Sequence, residues 1–188
     1  MNLTVVYDAC VLYPAPLRSF LMYLAMTGLY RARWTNDIHE EWMRNVQRDY
    51  PDVTRQQTER IRDLMNAHIA DCLVAGYEPL IPSLALPDAD DRHVLAAAIW
   101  CEADIILTFN LKDFPESALK PHGIEAQHPD DFLAQQLDLA PDVVCAAAKR
   151  QRQSLKNPPL SVEGYFVSLE RQGLAQTVRR LREYAELI

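Results

Sequence analysis

With five glycines among 188 residues, none of them placed where a glycine-rich phosphate loop would need them, the chain has no such loop. Cysteine is equally sparse. Cys10, Cys72, Cys101 and Cys145 form no C-x-x-C pair, and each sits among apolar neighbours. That spacing argues against a disulfide framework or a structural zinc site and predicts buried free thiols. "HEEWM" has no second histidine four residues on, which excludes the H-E-x-x-H zinc motif. His39, His68, His93, His122 and His128 show no ligand spacing, so surface or packing roles are expected for all five. No apolar run reaches the ~18 residues of a membrane span. The N-terminus "MNLTVVYDAC" lacks a basic stretch and a long apolar core, so no signal peptide is read there. A cytoplasmic protein with no membrane contact is the expectation. Basic excess is also missing: the net charge is −7. The balance is uneven. Residues 1–135 carry 11 Lys/Arg against 20 Asp/Glu, a net of −9, and residues 136–188 carry 8 against 6, a net of +2. An acidic chain of this kind is not a simple DNA-binding module. It suits an enzyme that holds divalent cations in a carboxylate cluster.

Short apolar runs alternate with helical periodicity along most of the chain. "LTVVYD" reads as a buried strand that ends on an acid, and "ADIILTFN" as a second one. "YRARWT" and "GIEAQ" are weaker strand candidates. Leu17, Phe20, Leu21 and Leu24 mark a helix stopped by Gly28. Ile38, Trp42 and Val46 mark another, capped by Asn36 or Asp37. Thr54 and Gln57 fit a capping box. Ile61, Leu64, Met65, Ile69, Cys72 and Leu73 then line one face of a helix that Gly76 ends. Val94, Leu95, Ala98 and Ile99 mark the helix after "PDADD". The alternation predicts an α/β fold with a mostly parallel central sheet. Beyond about Asp138 the pattern is helical only, which places an α/β domain at 1–137 and a helical extension at 138–188.

In open parallel sheets, sites form beyond the carboxyl ends of the strands. Asp8 and Asn110 each follow a strand, and Asp113 lies three residues past Asn110. Asp91 precedes Val94 by three and Ala98 by seven, on the helix stripe that faces the core. Asp88 and Asp90 have blander roles open to them, as cap, loop or dipole residues. Glu41 lies at the edge of the Ile38–Trp42 stripe, whereas Glu40 points away. Carboxylates about 4 Å apart repel by several kcal/mol at an effective dielectric near 20. A fold keeps such a cluster only if protons or cations neutralise it, and oxygen-only donors suit Mg²⁺ or Mn²⁺.

Taken together, "VVYDACVLYP", "TNDIHEEW" and "DDRHVLAAAIWCEADIILTFNLKDFP" resemble the motifs of the PIN-domain family of metal-dependent ribonucleases, over roughly residues 3–135. The resemblance implies a three-layer α/β/α sandwich. It implies an acidic pocket of Asp8, Glu41, Asp91 and Asp113 that binds Mg²⁺ or Mn²⁺ and activates water for phosphodiester hydrolysis. Asn110 stands where some relatives carry an acid, so Asp113 takes the fourth place. Thr108 and Asn110 are implied as orienting groups, with Asp88 and Asp90 as auxiliaries. The chain looks similar to VapC-type toxins of toxin–antitoxin pairs. That likeness implies an RNA substrate (tRNA or another structured RNA), a cognate antitoxin protein and a homodimer. The extension exceeds the minimal domain, and its role is left open between packing, dimer contact and antitoxin docking. Arg18, Arg31, Arg33, Arg44, Arg92 and Lys112 are the cations in elements near the presumed rim. A haloacid-dehalogenase-like phosphatase is disfavoured because Cys10 replaces its second acid. The rival from another class is a catalytically silent interaction module, with an acidic pocket and basic helices in "KRQRQSLK" and "RRLREY".

Overall fold

Thr4–Tyr7 is buried along its whole length. Strands covered on both faces by helices read as continuous apolar runs. In the computed structural model, which describes residues 3–188, this run is an inner strand. The chain order is β1 (Thr4–Tyr7), α1 (Ala9–Leu12), α2 (Ala15–Ala25), β2 (Arg31–Arg33), α3 (Asn36–Asp49), α4 (Arg55–His68), α5 (Arg92–Trp100), β3 (Ile105–Leu107), α6 (Glu116–Leu119), β4 (Glu125–Gln127), α7 (Pro129–Leu139), α8 (Pro141–Ser154), α9 (Val162–Glu170) and α10 (Ala175–Leu181). Short 3₁₀ turns include Glu78–Ser83, Ala89–Asp91 and Leu111–Asp113.

The sheet order is β2-β1-β3-β4, and every pairing is parallel. Val6 lies opposite Arg33 and Ile106, and Ile106 opposite Ala126. This register brings Asp8 and Thr108 to the same end of the sheet. The α/β fold with a parallel sheet expected from the alternation is the fold observed. A single parallel bridge from Trp34 to Leu73 lengthens the β2 edge, with Val74 N–H donating to the Trp34 carbonyl at 2.8 Å.

The units divide differently from the linear expectation. One compact unit comprises the chain through Tyr13 together with Tyr30–His128, and the other comprises Pro14–Leu29 together with Pro129–Ile188. The boundary expected after residue 137 falls inside α7, and α2 belongs with the late helices. Sequence periodicity marks helices but not their partners, so α2 carries no sign of this grouping.

Two local expectations are corrected in the first unit. The cap of α3 is Thr35 rather than Asn36 or Asp37: its side chain accepts the Ile38 N–H at 3.0 Å. The Thr54–Gln57 capping box on α4 is present. However, α4 ends at His68 rather than at Gly76, because Ile69 turns extended and Asp71 takes a φ of 54°. The chain then leaves to form the Leu73 bridge. Met65, Ile69 and Cys72 are buried, but Leu64 and Leu73 are exposed.

A polar chain runs under α3. Trp34 Nε1 donates to Asn66 Oδ1 at 2.8 Å, His39 Nε2 lies 3.0 Å from the same oxygen, and Trp42 Nε1 donates to His39 Nδ1 at 3.0 Å. This fixes His39 as a neutral ring that accepts at Nδ1 and donates at Nε2. Burial, partly offset by the bond to Asn66, lowers its pKa to about 4. All four cysteines are free: Cys72 and Cys145 are buried, and Cys10 and Cys101 are half-buried.

In the second unit, Leu17, Phe20, Leu21 and Leu24 of α2 are buried, as are Phe132, Leu133, Val144, Phe166 and Val178 of the later helices. Gln151 Nε2 donates to the Pro16 carbonyl at 2.8 Å, and Tyr165 OH donates to Gln151 Oε1 at 2.7 Å. Asp130 caps α10, accepting the Gln176 N–H at 2.8 Å and the Thr177 N–H at 2.7 Å.

Candidate functional site

Asp8 is the first residue past β1. Its N–H still belongs to the sheet, donating to the Leu107 carbonyl at 3.1 Å. Its side chain makes no cap bond to α1 and is 2% exposed. Instead, Oδ2 accepts from Thr108 Oγ1 at 2.7 Å and from Cys10 Sγ at 3.0 Å. These donors are themselves placed. Asn110 N–H donates to Thr108 Oγ1 at 3.0 Å, and Phe109 N–H donates to Cys10 Sγ at 3.3 Å. The strand ends of β1 and β3 therefore hold one carboxylate in one orientation.

Asp91 closes the Ala89–Asp91 turn and opens α5. Its carboxyl is pushed up to about 7, first by burial, then by the charges of Asp8, Asp88, Glu41 and Asp113. Those carboxylates come from β1, the loop before α5, α3 and the turn after β3, so separate elements converge on Asp91. Burial also raises Asp8 above the ordinary carboxylate range. The bonds from Cys10 and Thr108 pull it back, and Glu41 pushes it up again.

Glu41 faces this cluster, as its helix register predicts, and Glu40 does not. Glu40 is held by Arg55, whose Nη1 and Nη2 donate at 2.8 and 2.6 Å. Asp113 is half-buried on the turn after β3. Asp88 is exposed and serves as a cap: its Oδ1 accepts the Asp90 N–H at 2.9 Å. Asp90 is exposed and contributes that N–H. Asn110 is exposed and reaches the site through its backbone, by way of Thr108.

Two members of the cluster lie outside the sequence expectation. His93 is expected in a surface or packing role, yet its Nε2 lies 3.5 Å from Glu41 Oε2. Burial pulls its pKa down, but the contact and charge of Glu41 outweigh this and leave it above the ordinary histidine value. Its Nδ1 is buried without a partner. The pair joins two helices far apart in sequence, so no linear spacing announces it. Cys10, in the sequence, registers only as an acid that is missing. Its place two residues after Asp8 is the available signal. Burial, and next the charge of Asp8, push its thiol far up, so it stays a protonated donor.

Not all of the cations named for the rim belong there. Arg31 pairs with Thr4 and so sits toward the amino ends of the strands. Arg18 is buried on α2. Arg92 Nε donates to the Ala89 carbonyl at 2.9 Å, Arg44 and Lys112 are exposed, and Arg33 is half-buried with an unpartnered Nε.

The donors are hard carboxylate oxygens, and their mutual repulsion calls for a cation, so the set fits Mg²⁺ or Mn²⁺ by its chemistry. Among the described residues, however, no group of three or more His, Cys, Asp or Glu side chains stands in a chelating arrangement. Among those residues, too, no helix is long and apolar enough to cross a membrane.

A family model described as PIN domain matches residues 4–112, and one described as VapC50 C-terminal domain matches residues 129–183. Over 108 residues the chain is 42% identical to the "Putative ribonuclease VapC50" of Mycobacterium tuberculosis (strain ATCC 25618 / H37Rv), covering 56% of this chain and 63% of that protein. The matched region thus spans less than two thirds of the relative's length. No solved structure is significantly similar. The PIN match takes in more than half of the chain, including Asp8, Glu41 and Asp91, and the sheet it spans is parallel throughout: the chain belongs to the PIN-domain family.

Proposed function

We propose that the protein is a metal-dependent endoribonuclease, the toxin of a toxin–antitoxin pair, with Asp8, Glu41, Asp91 and Asp113 as the groups that hold Mg²⁺ or Mn²⁺. The observation that carries this is the convergence on Asp91 of Asp8 from the end of β1, Glu41 from α3 and Asp113 from the turn after β3, which with burial first and with Asp88 push its carboxyl up to about 7. A fold that gathers charge in this way keeps it only with protons or cations to neutralise it, and oxygen-only donors favour a divalent cation. The likeness to a relative named as a ribonuclease supports RNA as substrate. A cognate antitoxin and a homodimer belong to the same reading.

A bound divalent cation would supply the charge that activates water and stabilises the leaving 3′ oxygen. The chain's own residues do the rest. Thr108 and Cys10 fix Asp8 through Oδ2. His93 holds Glu41, with Nε2 at 3.5 Å from Oε2. A bound cation would favour the deprotonated form of Asp91, offsetting the burial and the neighbouring charges that raise its carboxyl. Asp88 and Asp90 add negative charge at the rim without being ligands. Asn110 acts through its N–H on Thr108 rather than through its side chain.

One observation favours a second reading. The side chains stand in no chelating group, as expected of a silent interaction module with an acidic pocket. Cleavage decides between them. Purified protein is incubated with total tRNA and rRNA in Mn²⁺, Mg²⁺ or EDTA, beside Asp91→Asn prepared identically. Discrete products that need both the metal and Asp91 support the nuclease. Equal activity in the variant would show a contaminant and remove the support.

A further inference from the structure

The acidic cluster repels the phosphates it is proposed to cut, so RNA needs a cationic approach beside it. We propose that the exposed side of α3 from Glu41 to Tyr50, faced by Tyr13, is the path that binds one single-stranded flank of the RNA. The inference rests on the ribonuclease reading and adds the course of the substrate.

Glu41, Arg44 and Arg48 recur at helical spacing, so they share one face of α3. Ile38, His39, Trp42 and Met43 bury the other side. With a rise of 1.5 Å per residue, Arg44 lies about 5 Å and Arg48 about 10 Å along the axis from Glu41. Such steps match successive phosphates leaving the cluster. Glu40 and Glu41, the acids nearest Arg44 on the helix, are engaged by Arg55 and His93. Arg44 is exposed and has no ion pair among the described residues.

α1 runs the same way. Asp8 lies at its start beside Glu41, and Tyr13 lies at its end, where Tyr13 OH donates to Asp49 Oδ2 at 2.9 Å. Asp49 also takes a two-pronged contact from Arg48, with Nε at 2.7 Å and Nη2 at 3.0 Å. One carboxylate thus fixes a phenol ring and a guanidinium side by side. Arg48 remains 68% exposed. Tyr50 follows at 56% exposure, and its hydroxyl neighbours that of Tyr13. Cations that track a backbone, followed by exposed aromatic faces, are the ingredients of single-strand binding, and an unpaired base can stack where a paired one cannot.

The test is fluorescence anisotropy of a labelled single-stranded RNA of about 12 nucleotides with the full chain in EDTA, over a salt series. Arg44→Ala and Arg48→Ala should each weaken binding several-fold and reduce the slope of log affinity against log salt by about 0.7. Tyr50→Ala should weaken it about 5- to 150-fold, the equivalent of losing one stacked base. Arg48→Lys should keep the salt slope that Arg48→Ala loses, a recovery that a misfolded variant cannot imitate. Arg60→Ala, on α4, should change nothing. Unaltered binding in the three weakened variants, with wild type binding RNA, would overturn the path and leave the ribonuclease reading standing. A wild type that neither binds this RNA nor cleaves tRNA or rRNA would remove both. Equal affinity for a duplex of the same length, with Tyr50→Ala silent, would overturn the single-strand assignment.

Discussion

Asp91→Asn should stabilise the metal-free protein, the reverse of what losing a half-buried polar contact ordinarily does. The native carboxyl is raised from 3.8 to about 7, so the folded state binds this proton more tightly than the unfolded state. The sign follows from linkage: stability is intact below pH 3.8 and is lost as pH rises through 7. At about 1.36 kcal/mol for each pH unit, that rise sets a ceiling of about 4 kcal/mol. Because Asp91 is half-exposed, solvent screening reduces this to about 2 kcal/mol. Asparagine keeps the size and removes the charge. Urea unfolding in EDTA should therefore show the variant more stable by about 2 kcal/mol at pH 8, with the difference fading toward pH 4. Saturating Mn²⁺ should reverse the order, since binding to the native state stabilises only a protein that retains its ligands. A variant less stable than wild type at pH 8 in EDTA, or a difference independent of pH, would refute the idea of a cluster strained by like charge.

The same titration contains an opposing contribution from His39. Its native pKa of about 4 means that stability is intact above 6.5 and lost as pH falls toward 4, by up to about 3 kcal/mol, a fall that urea unfolding of the Asp91→Asn protein should expose and His39→Gln should flatten. Asn66→Ala removes the oxygen shared by Trp34 and His39 and leaves two donors unsatisfied, so a cost of about 2–5 kcal/mol is expected in denaturant midpoints. His93→Ala should leave the fold intact and weaken Mn²⁺ binding about 10- to 100-fold by calorimetry, because Glu41 loses the group that orients it, and His93→Gln should recover part of that loss.

The elements of this fold are legible where one residue type decides a local conformation. "LTVVYD" has to be an inner strand, and Thr54 with Gln57 has to open a helix. The acids are legible for a related reason. Asp8 and Asp113 follow strands, and Glu41 separates from Glu40 by helix arithmetic alone; in the structure Glu40 is taken by the Arg55 fork. What cannot be read are the relations between distant segments. In the sequence α4 looks continuous to Gly76 because Ile69 and Cys72 keep the apolar spacing, but they stay buried by leaving the helix for the Trp34–Leu73 bridge. α2 carries no mark of its companionship with α7–α10.

The same limit explains the polar groups that sequence reasoning misses. An acid repelled by its neighbours is visible as an excess of acids. The donor that steadies it is an ordinary residue until the fold brings it there. Cys10 and Thr108 lie 98 positions apart, and both reach one oxygen of Asp8. The fold brings His93 of α5 to Glu41 of α3. In such a site the groups that carry charge announce themselves in the linear chain, whereas of the groups that orient it Thr108 is legible through the family motif and Cys10 and His93 are not. Substitutions at Cys10 and His93 therefore probe what the structure adds: each should alter cation affinity while leaving the four acids in place.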